Sequence, residues 1–191
     1  MKKLYIISGC NGAGKTTASF TILPEMLKCN EFVNADEIAK GLSPFNPNQV
    51  AIKAARLMLA RINELLESGV DFGFETTLAT RSYVNTVRKA QAKGYFVTIL
   101  YFWLSSPELA IERVRNRVNE GGHNIPENII RRRYDMGLRN FFDLYFQIAD
   151  YWMFIDNSNM PFQMVAEGQK NNIKLINEEL WNLLKEKYYG I

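Results

Sequence analysis

Apolar and polar residues follow one another in blocks that predict alternating strands and helices. Short apolar runs predict five strands, at residues 2–8, 31–36, 71–75, 95–104 and 151–155. The run at 95–104 is almost continuously apolar, which is typical of a strand buried on both faces of a parallel sheet. Between the runs, apolar residues recur at helical spacing and predict helices at residues 16–27, 49–68, 82–93, 107–119 and 126–149.

Two of these helices carry apolar stripes that we expect to face the core. The stripe of the first helix consists of Phe20, Leu23 and Leu27. The stripe of the second consists of Ile52, Ala55, Leu59, Ile62, Leu65 and Leu66. Residues 41–47, which precede the second helix, contain two prolines and are expected to form a loop.

The pattern changes after residue 156. The residues that follow predict a turn at 157–161, a hairpin formed by 162–167 and 173–176, and a final helix at 177–188. Strands that alternate with helices predict a three-layer α/β fold around a five-stranded parallel sheet. We therefore expect a single domain, residues 1–191, with a small C-terminal appendage of hairpin plus helix at about 157–191.

Composition narrows the class of protein. With 191 residues, 47% of them hydrophobic and 23% charged, the chain is suited to one domain with a substantial core. Its formal net charge of +3 is too small to indicate a nucleic-acid partner. No apolar run approaches the length of a membrane span, and the N-terminal run is too short for a secretory signal. We expect a cytoplasmic protein that binds neither nucleic acid nor membrane.

A glycine-rich loop follows the first predicted strand. Residues 9–16 read Gly-Cys-Asn-Gly-Ala-Gly-Lys-Thr and fit the spacing GxxxxGK[ST], between a predicted strand and a predicted helix. In such a loop, backbone N–H groups surround phosphates, the lysine reaches the β- and γ-phosphates, and the threonine hydroxyl binds Mg²⁺. The sequence therefore predicts a site for ATP with Mg²⁺. Its expected ATP-binding residues are Gly9, Asn11, Gly12, Ala13, Gly14, Lys15, Thr16 and Thr17.

Two carboxylates come at the ends of predicted strands, where α/β sheets bind their ligands. Asp36 is placed to accept a proton from an attacking hydroxyl, although a helix cap or a surface position is the alternative. Glu75 could help Thr16 to hold Mg²⁺, or it could bind the acceptor substrate together with Thr77. The residues alone leave these alternatives open.

Residues 113–134 are rich in arginine and are predicted to form a lid. Arg113 and Arg117 are four residues apart and share a helix face. Arg131 and Arg133 flank the stripe of the next helix, whereas Arg132 is expected to point to solvent. Glycines 121 and 122 join the two helices, so the pair could close over a phosphoryl group and exclude water. The alternative is a solvated basic surface.

His123 is the only histidine of the chain and lies in the predicted hinge of the lid. A contact with phosphate or substrate and a purely structural role are both open for it. The residues expected to carry the catalysis are Lys15, Asp36, Arg117, Arg131 and Arg133.

Four blocks of the sequence, taken together, resemble the zeta toxin family of P-loop kinases. They are the glycine-rich loop at 9–17, Phe-Val-Asn-Ala-Asp-Glu at 32–37, Phe-Glu-Thr-Thr-Leu at 74–78 and Gly-Gly-His-Asn-Ile-Pro at 121–126. The resemblance covers residues 1 to about 160. It implies ATP-dependent phosphorylation of a hydroxyl on a nucleotide sugar, UDP-N-acetylglucosamine, by toxins that are paired with an antitoxin.

The resemblance also implies roles for particular residues. Asp36 looks like the base that activates the acceptor hydroxyl, and Glu75 and Thr77 are similar to the substrate-binding pair, with Arg81 nearby. Arg113 and Arg117 resemble the lid arginines that contact the ATP phosphates. The chain departs from the family pattern at one point. The lid arginine that precedes a proline in the family is His123 here, with arginines displaced to Arg131 and Arg133.

The sequence thus predicts a kinase that transfers the γ-phosphoryl group of ATP to a small-molecule hydroxyl. A kinase for a different small metabolite is the first alternative, and an ATPase switch or binding module without an acceptor is the second. The predicted lid favours a kinase, because sheltering the phosphoryl group from water serves transfer. A nucleic-acid kinase is a further alternative, but no basic stripe with interleaved aromatic residues supports it.

Overall fold

The computed structural model describes residues 1–122, 124–169 and 172–190 of the chain. Its strands are β1 (Lys2–Gly9), β2 (Glu31–Val33), β3 (Phe72–Thr76), β4 (Tyr95–Trp103), β5 (Tyr151–Asp156), β6 (Gln163–Gln169) and β7 (Asn172–Leu175). They form one sheet in the order β2-β3-β1-β4-β5-β6-β7. The first five strands are parallel, and the last two are antiparallel.

Helices connect these strands. They are α1 (Lys15–Thr21), α2 (Ala35–Leu42), α3 (Ala51–Ser68), α4 (Tyr83–Ala92), α5 (Pro107–Asn119), α6 (Glu127–Asn140), α7 (Phe146–Ile148) and α8 (Glu178–Tyr188). A π-helical segment at Ile22–Met26 continues α1, and another at Phe141–Tyr145 joins α6 to α7. A 3₁₀ turn, Pro47–Val50, precedes α3.

The core lies on both faces of the sheet. In β1 the consecutive residues 4–7 are all buried, and successive side chains of a strand point to opposite faces. The sheet is therefore covered on both sides, which confirms the predicted three-layer α/β fold with five parallel strands. The predicted C-terminal hairpin extends this sheet by two antiparallel strands, and α8 stacks Trp181 on Trp152 of β5 at 5.0 Å between ring centroids.

The second predicted strand is shorter than expected. We predicted a strand at 31–36, but β2 ends at Val33 and Asp36 lies in the first turn of α2. The reason is Asn34, whose side-chain oxygen accepts hydrogen bonds from the backbone N–H groups of Asp36 and Glu37 and so caps a helix. That helix takes in the first two residues of the segment that we predicted to be a loop, 41–47.

The predicted apolar stripes were wrong in part. Phe20 is 61% exposed, and on α3 the side chains of Ile52 and Leu59 are 73% and 45% exposed. The core face of α3 keeps the predicted Ile62, Leu65 and Leu66 and is completed by Ala54 and Met58. Helix α3 is apolar on more than one face, so spacing alone did not identify the buried one.

Candidate active site

The phosphate loop requires glycine at positions where other residues would collide. Gly9 and Gly12 have φ of +136° and +80°, and a Cβ at these positions would lie 2.1 Å from the Phe102 carbonyl oxygen and 2.7 Å from that of Ala110. Gly14, with φ of +80°, ends the loop directly before α1. The chain therefore turns tightly around the loop without side chains on its crowded side. This is the backbone geometry that the motif predicts.

Lys15 and Thr16, the first residues of α1, meet Glu75 at the end of β3. Lys15 Nζ donates a hydrogen bond to the Cys10 carbonyl oxygen at 2.9 Å and lies 3.5 Å from Glu75 Oε1. Thr16 Oγ1 donates to Glu75 Oε2 at 2.7 Å, and Asn34 Nδ2 donates to the same oxygen at 2.8 Å. The Lys15 and Glu75 side chains are only 6% and 10% exposed, so this cluster is a buried, fully cross-linked polar site.

Sheet topology explains why these residues meet. Strands β1 and β3 are parallel neighbours, with Ile7 beside Glu75 and Ser8 beside Thr76. From β1 the chain crosses to β2, whereas from β3 it crosses in the other direction to β4. A crevice opens beyond the carboxyl ends of neighbouring strands whose connections diverge in this way.

The residues at this crevice fit a triphosphate with Mg²⁺. The glycines let the loop take the tight, positive-φ backbone course that turns N–H groups towards an anion, and Lys15 supplies a buried positive charge. Thr16 Oγ1 and the Glu75 carboxylate are oxygen donors, the kind that Mg²⁺ prefers. Across residues 1–122, 124–169 and 172–190, no group of three or more His, Cys, Asp and Glu side chains is suited to hold a metal ion.

Asp36 and Arg133 lie near each other beside the phosphate loop. Arg133 Nη1 donates a hydrogen bond to Asn11 Oδ1 at 3.2 Å, which ties α6 to the loop. Burial lowers the pKa of the Arg133 guanidinium, and the negative charge of Asp36 opposes this shift. The guanidinium remains a cation at neutral pH, because arginine keeps its proton in proteins.

A cavity of about 550 Å³ opens at the same place. The predicted site residues that line it are Asn11, Lys15, Asp36, Glu75, Thr77 and Arg133. Further polar residues in its lining are Asn34, Thr76, Thr80, Ser82 and Arg132. Apolar residues complete it, namely Ala35, Ala55, Met58, Leu59, Ala79, Tyr83 and Met136. The structure thus brings together residues from five separate segments of the chain.

Sequence reasoning missed the apolar part of this lining. Ala55 and Leu59 were assigned to the core, whereas they face the cavity from α3, and Met136 was not singled out at all. Arg132 was expected to point to solvent. It is exposed, but it also lines the cavity. Helix α3 has more apolar residues than one core-facing stripe requires, and this excess is the sequence signal that could have indicated its part in the cavity.

Arg113 lies on the other side of the phosphate loop, where α5 passes close to Gly12. A Cβ on Gly12 would be 3.3 Å from Arg113 Cβ, and Arg113 Nη2 donates to the Ser158 carbonyl oxygen at 2.8 Å. Arg113 is not part of the cavity lining. The cavity and Arg113 therefore flank the loop from two directions.

The remaining predicted site residues lie outside the cavity lining. Arg131 forms an ion pair with Glu108 of α5 at 2.5 Å, and this pair links the two helices of the predicted lid. Arg117 is half-buried near the C-terminus of α5, and its carbonyl oxygen accepts a hydrogen bond from Gly122. Arg81 donates to Asn140 Oδ1 at 3.4 Å.

Two other predicted residues complete the set. Thr17, in the first turn of α1, is exposed. His123 lies outside the described residues, and its predicted role stays a prediction. Among the helices of the described part of the chain, none is both long enough and apolar enough to cross a membrane.

Comparisons with solved structures identify the fold. A chain of the AvrRxo1-ORF1:AvrRxo1-ORF2 complex, crystallised with sulphate ions, is similar with a TM-score of 0.77 and 16% identity, over 97% of this chain and 64% of that one. A chain of the PezAT toxin–antitoxin system of Streptococcus pneumoniae gives 0.66 and 15%, over 99% and 78%. A gluconokinase from Sinorhizobium meliloti gives 0.54 and 17%, over 83% of each chain. These likenesses show the fold of P-loop kinases.

Sequence comparison goes further than the fold. An uncharacterized protein of Haemophilus influenzae strain Rd is 29% identical over a match of 141 residues, which covers 70% of this chain and 98% of that protein. The Zeta toxin family model matches residues 1–149, which contain the phosphate loop, Asp36, Glu75 and the arginine-rich helices. The resemblance predicted from the four sequence blocks is thereby confirmed, and the chain belongs to the Zeta toxin family.

Proposed function

We propose that this Zeta toxin family member is an ATP-dependent kinase that transfers the γ-phosphoryl group of ATP to a hydroxyl of a small molecule. One observation carries the proposal. A cavity of about 550 Å³ opens directly beside the phosphate loop, and both Lys15 and Asp36 line it. Its size lies in the range of small-molecule sites. A second substrate bound there meets a base and a phosphate-binding lysine at once.

Asp36 is the base in this proposal. It stands in the first turn of α2, where the Asn34 cap fixes the backbone, and it lines the same cavity as Lys15. A carboxylate in hydrogen-bond reach of the acceptor hydroxyl removes its proton as the oxygen attacks. Arg133 beside it keeps positive charge near the reacting groups.

Bound ATP with Mg²⁺ supplies the phosphoryl group and neutralises part of its charge. Lys15 and Arg133 stabilise the negative charge that develops during transfer, because Lys15 is buried and Arg133 is half-buried. Thr16 and Glu75 hold oxygen donors where the metal is expected. Arg113 and Arg117 are proposed to act on the nucleotide side of the loop, Arg131 and His123 as further lid residues, and Arg81 at the acceptor.

The character of the cavity supports an acceptor with two unlike faces. Hydroxyl-bearing side chains follow the end of β3, from Thr76 to Ser82, whereas α3 and α6 supply Met58, Leu59 and Met136. A nucleotide sugar combines a hydroxyl-rich ring with a flatter, less polar base. UDP-N-acetylglucosamine, which the family resemblance implies, is therefore the acceptor that we propose first. A kinase for another small metabolite is the alternative within the same mechanism.

The test is a transfer assay. The protein is incubated with Mg²⁺, ATP and single candidate acceptors, including UDP-N-acetylglucosamine, and products are separated by mass. We expect an acceptor heavier by one phosphoryl group and an equal amount of ADP. ADP and phosphate without any phosphorylated acceptor, across nucleotide sugars and sugar acids alike, would contradict the kinase and favour an ATPase switch.

A partner protein is the remaining part of the proposal. The PezAT structure is described as a toxin–antitoxin system, and the AvrRxo1 structure contains two different chains. We propose that an antitoxin also binds this chain. Induced expression of the wild-type protein and of Asp36→Ala in the same bacterium tests the toxicity that such a partner would counteract. Growth arrest by the wild type only supports the proposal, and equal growth of both strains contradicts it.

A further inference from the structure

The turn after β5 contacts the phosphate loop. Asn157 Nδ2 donates a hydrogen bond to the Ala13 carbonyl oxygen at 2.9 Å. Asn157 lies beyond residues 1–149, the part that the family model matches. The contact therefore adds a residue from the C-terminal part of the chain to the surroundings of the phosphate loop.

The turn is itself held firmly. The backbone N–H of Asn157 donates to the Trp103 carbonyl oxygen at 2.9 Å, which ties it to the end of β4. The next residue, Ser158, donates its N–H to Asp156 Oδ1 at 2.8 Å and accepts the hydrogen bond from Arg113. Since β4 is a central strand, the Asn157 amide approaches the loop from a rigid base.

The bond to Ala13 fixes the direction of a peptide group. The only cis peptide bond in the described part of the chain joins Met160 to Pro161, so the Ala13–Gly14 peptide is trans. In a trans peptide the C=O and N–H groups point to opposite sides. Because the Ala13 oxygen points to Asn157, the Gly14 N–H points away from it. Phosphate loops bind their anion through such N–H groups.

Packing beside Gly14 supports the same orientation of the Ala13–Gly14 peptide. A Cβ on Gly14 would lie 2.7 Å from Asn157 Nδ2, so the amide fills the space beside this glycine. Gly14 has φ of +80° and directly precedes Lys15. A shift of the Asn157 amide therefore changes the entry to α1 as well as the peptide before it.

We infer that Asn157 is a positioning residue of the nucleotide site, which holds the Ala13–Gly14 peptide so that the Gly14 N–H is directed at a bound nucleotide phosphate. The inference rests on the proposed ATP site but not on the identity of the acceptor. It gives the C-terminal part of the chain a role in nucleotide binding. Asn157 acts through the backbone of the loop and touches no reacting atom.

The experiment compares three variants of the full-length chain. Asn157→Ala removes the amide, Asn157→Asp keeps the shape but replaces the donor by an acceptor, and Asn159→Ala is the matched control, because Asn159 is an exposed asparagine of the same turn. Isothermal titration with ATP and Mg²⁺, without acceptor, gives Kd, and urea unfolding gives the stability of each variant. We expect Kd to rise about tenfold for both Asn157 variants, as for the loss of one hydrogen bond, and to stay unchanged for Asn159→Ala.

Steady-state kinetics adds a readout that a purely structural role would not move. The Asn157 variants should raise KM for ATP about tenfold and leave KM for the acceptor unchanged. Wild-type ATP affinity in Asn157→Asp would overturn the inference, and so would an equal loss in Asn159→Ala. If Asn157→Ala unfolds, the isosteric Asp variant decides the matter. Tight ATP binding without any phosphorylated product would overturn the proposed kinase and leave this inference standing, whereas a wild type that does not bind ATP would overturn both.

Discussion

The two walls of the proposed acceptor cavity are built in opposite ways. The wall formed by the phosphate loop and the end of β3 is polar and closed, with the Lys15 and Glu75 side chains 6% and 10% exposed. The wall formed by α3 and by Met136 of α6 is apolar and open, with Leu59 and Met136 45% and 42% exposed, whereas Arg132 and Arg133 of α6 belong to the polar side. On the polar wall Glu75 pairs with Lys15 and accepts hydrogen bonds from Thr16 and Asn34, so a change in one of these groups disturbs the rest. On the apolar wall side chains act singly.

This difference separates chemistry from selectivity. Charged groups shielded from water act strongly on a reacting phosphoryl group, which suits the polar wall to catalysis. Exposed apolar side chains offer contact area to a bound acceptor, and replacing them costs little stability. Substitutions on the polar wall should therefore change turnover, and substitutions on the apolar wall should change acceptor affinity.

The largest effect is expected for the proposed base on the polar wall. Asp36→Ala should lower kcat by about 10²–10⁴-fold, the range for loss of general-base catalysis, and leave the Kd for ATP unchanged. Kinetics and calorimetry measure the two quantities separately. The matched control is Glu37→Ala, because Glu37 is the next residue of α2 and pairs with Lys40 at the surface. Undiminished transfer by Asp36→Ala would contradict the role of Asp36 as the base.

The next effect concerns the buried lysine. Lys15→Ala should lower kcat/KM for ATP by about 10²–10³-fold, because it removes a shielded positive charge from the site of transfer. It also leaves Glu75 without the cation 3.5 Å away, so urea unfolding should report a loss of stability. Lys40→Ala removes an exposed lysine with a similar ion pair and should do neither. If Lys15→Ala and Lys40→Ala had the same kcat/KM for ATP, the buried charge of Lys15 would have no special role in transfer.

A third prediction concerns Cys10, which lies within the phosphate loop. Burial raises the pKa of its thiol from 9.0 to about 11, so the folded state keeps a proton that the unfolded state releases first. The stabilisation is complete below about pH 9 and is lost as the pH rises through about 11, which lowers the free energy of unfolding by up to about 3 kcal/mol.

Urea unfolding at pH 8 and pH 10.5 checks the Cys10 prediction. Cys10→Ala should flatten the fall in stability between these two pH values. Cys29→Ala gives the comparison with a second thiol, whose pKa is also raised to about 11, mainly by burial. If Cys10→Ala loses as much stability as the wild type over this range, the loop thiol does not contribute to the alkaline loss.

The smallest effect is expected on the apolar wall. Leu59→Ser should raise KM for the acceptor about tenfold, as for the loss of a few methylene contacts, with the Kd for ATP and the unfolding midpoint near wild type. Leu57→Ser is the matched control, because Leu57 on the same helix is 42% exposed and does not line the cavity. A change in ATP affinity in Leu59→Ser, or the same acceptor KM in both variants, would contradict the separate roles given to the two walls.

Much of the fold could be predicted because its signals are local. Strands that are buried on both faces are continuous apolar runs, such as the run that became β4. The phosphate loop was also recognisable, because its glycines are fixed by backbone collisions within a few residues and with the neighbouring strand. Both features depend on residues that are close in sequence.

The wrong predictions concern residues whose place depends on contacts between several elements. Asn34 reads as the end of a strand, but its side chain caps α2, and this moved Asp36 from a strand end into a helix. Helix α3 has apolar residues on two faces, and only the packing of the sheet decides which face is buried. Arginines 131 to 133 follow one another in sequence, so helical geometry points them in different directions, and only the packing of α6 decides that the first meets Glu108 of α5 and the other two line the cavity.

The sequence by itself determined the class of fold, the phosphate loop and the family. These follow from local spacing, from burial patterns and from short blocks whose order along the chain is visible without coordinates. Only the tertiary structure decided that Glu75 bonds to Thr16, that Leu59 faces a cavity and that Asn157 holds the Ala13 carbonyl group. Such contacts join residues up to 144 positions apart, and the register and order of the strands, rather than any local pattern, bring them together.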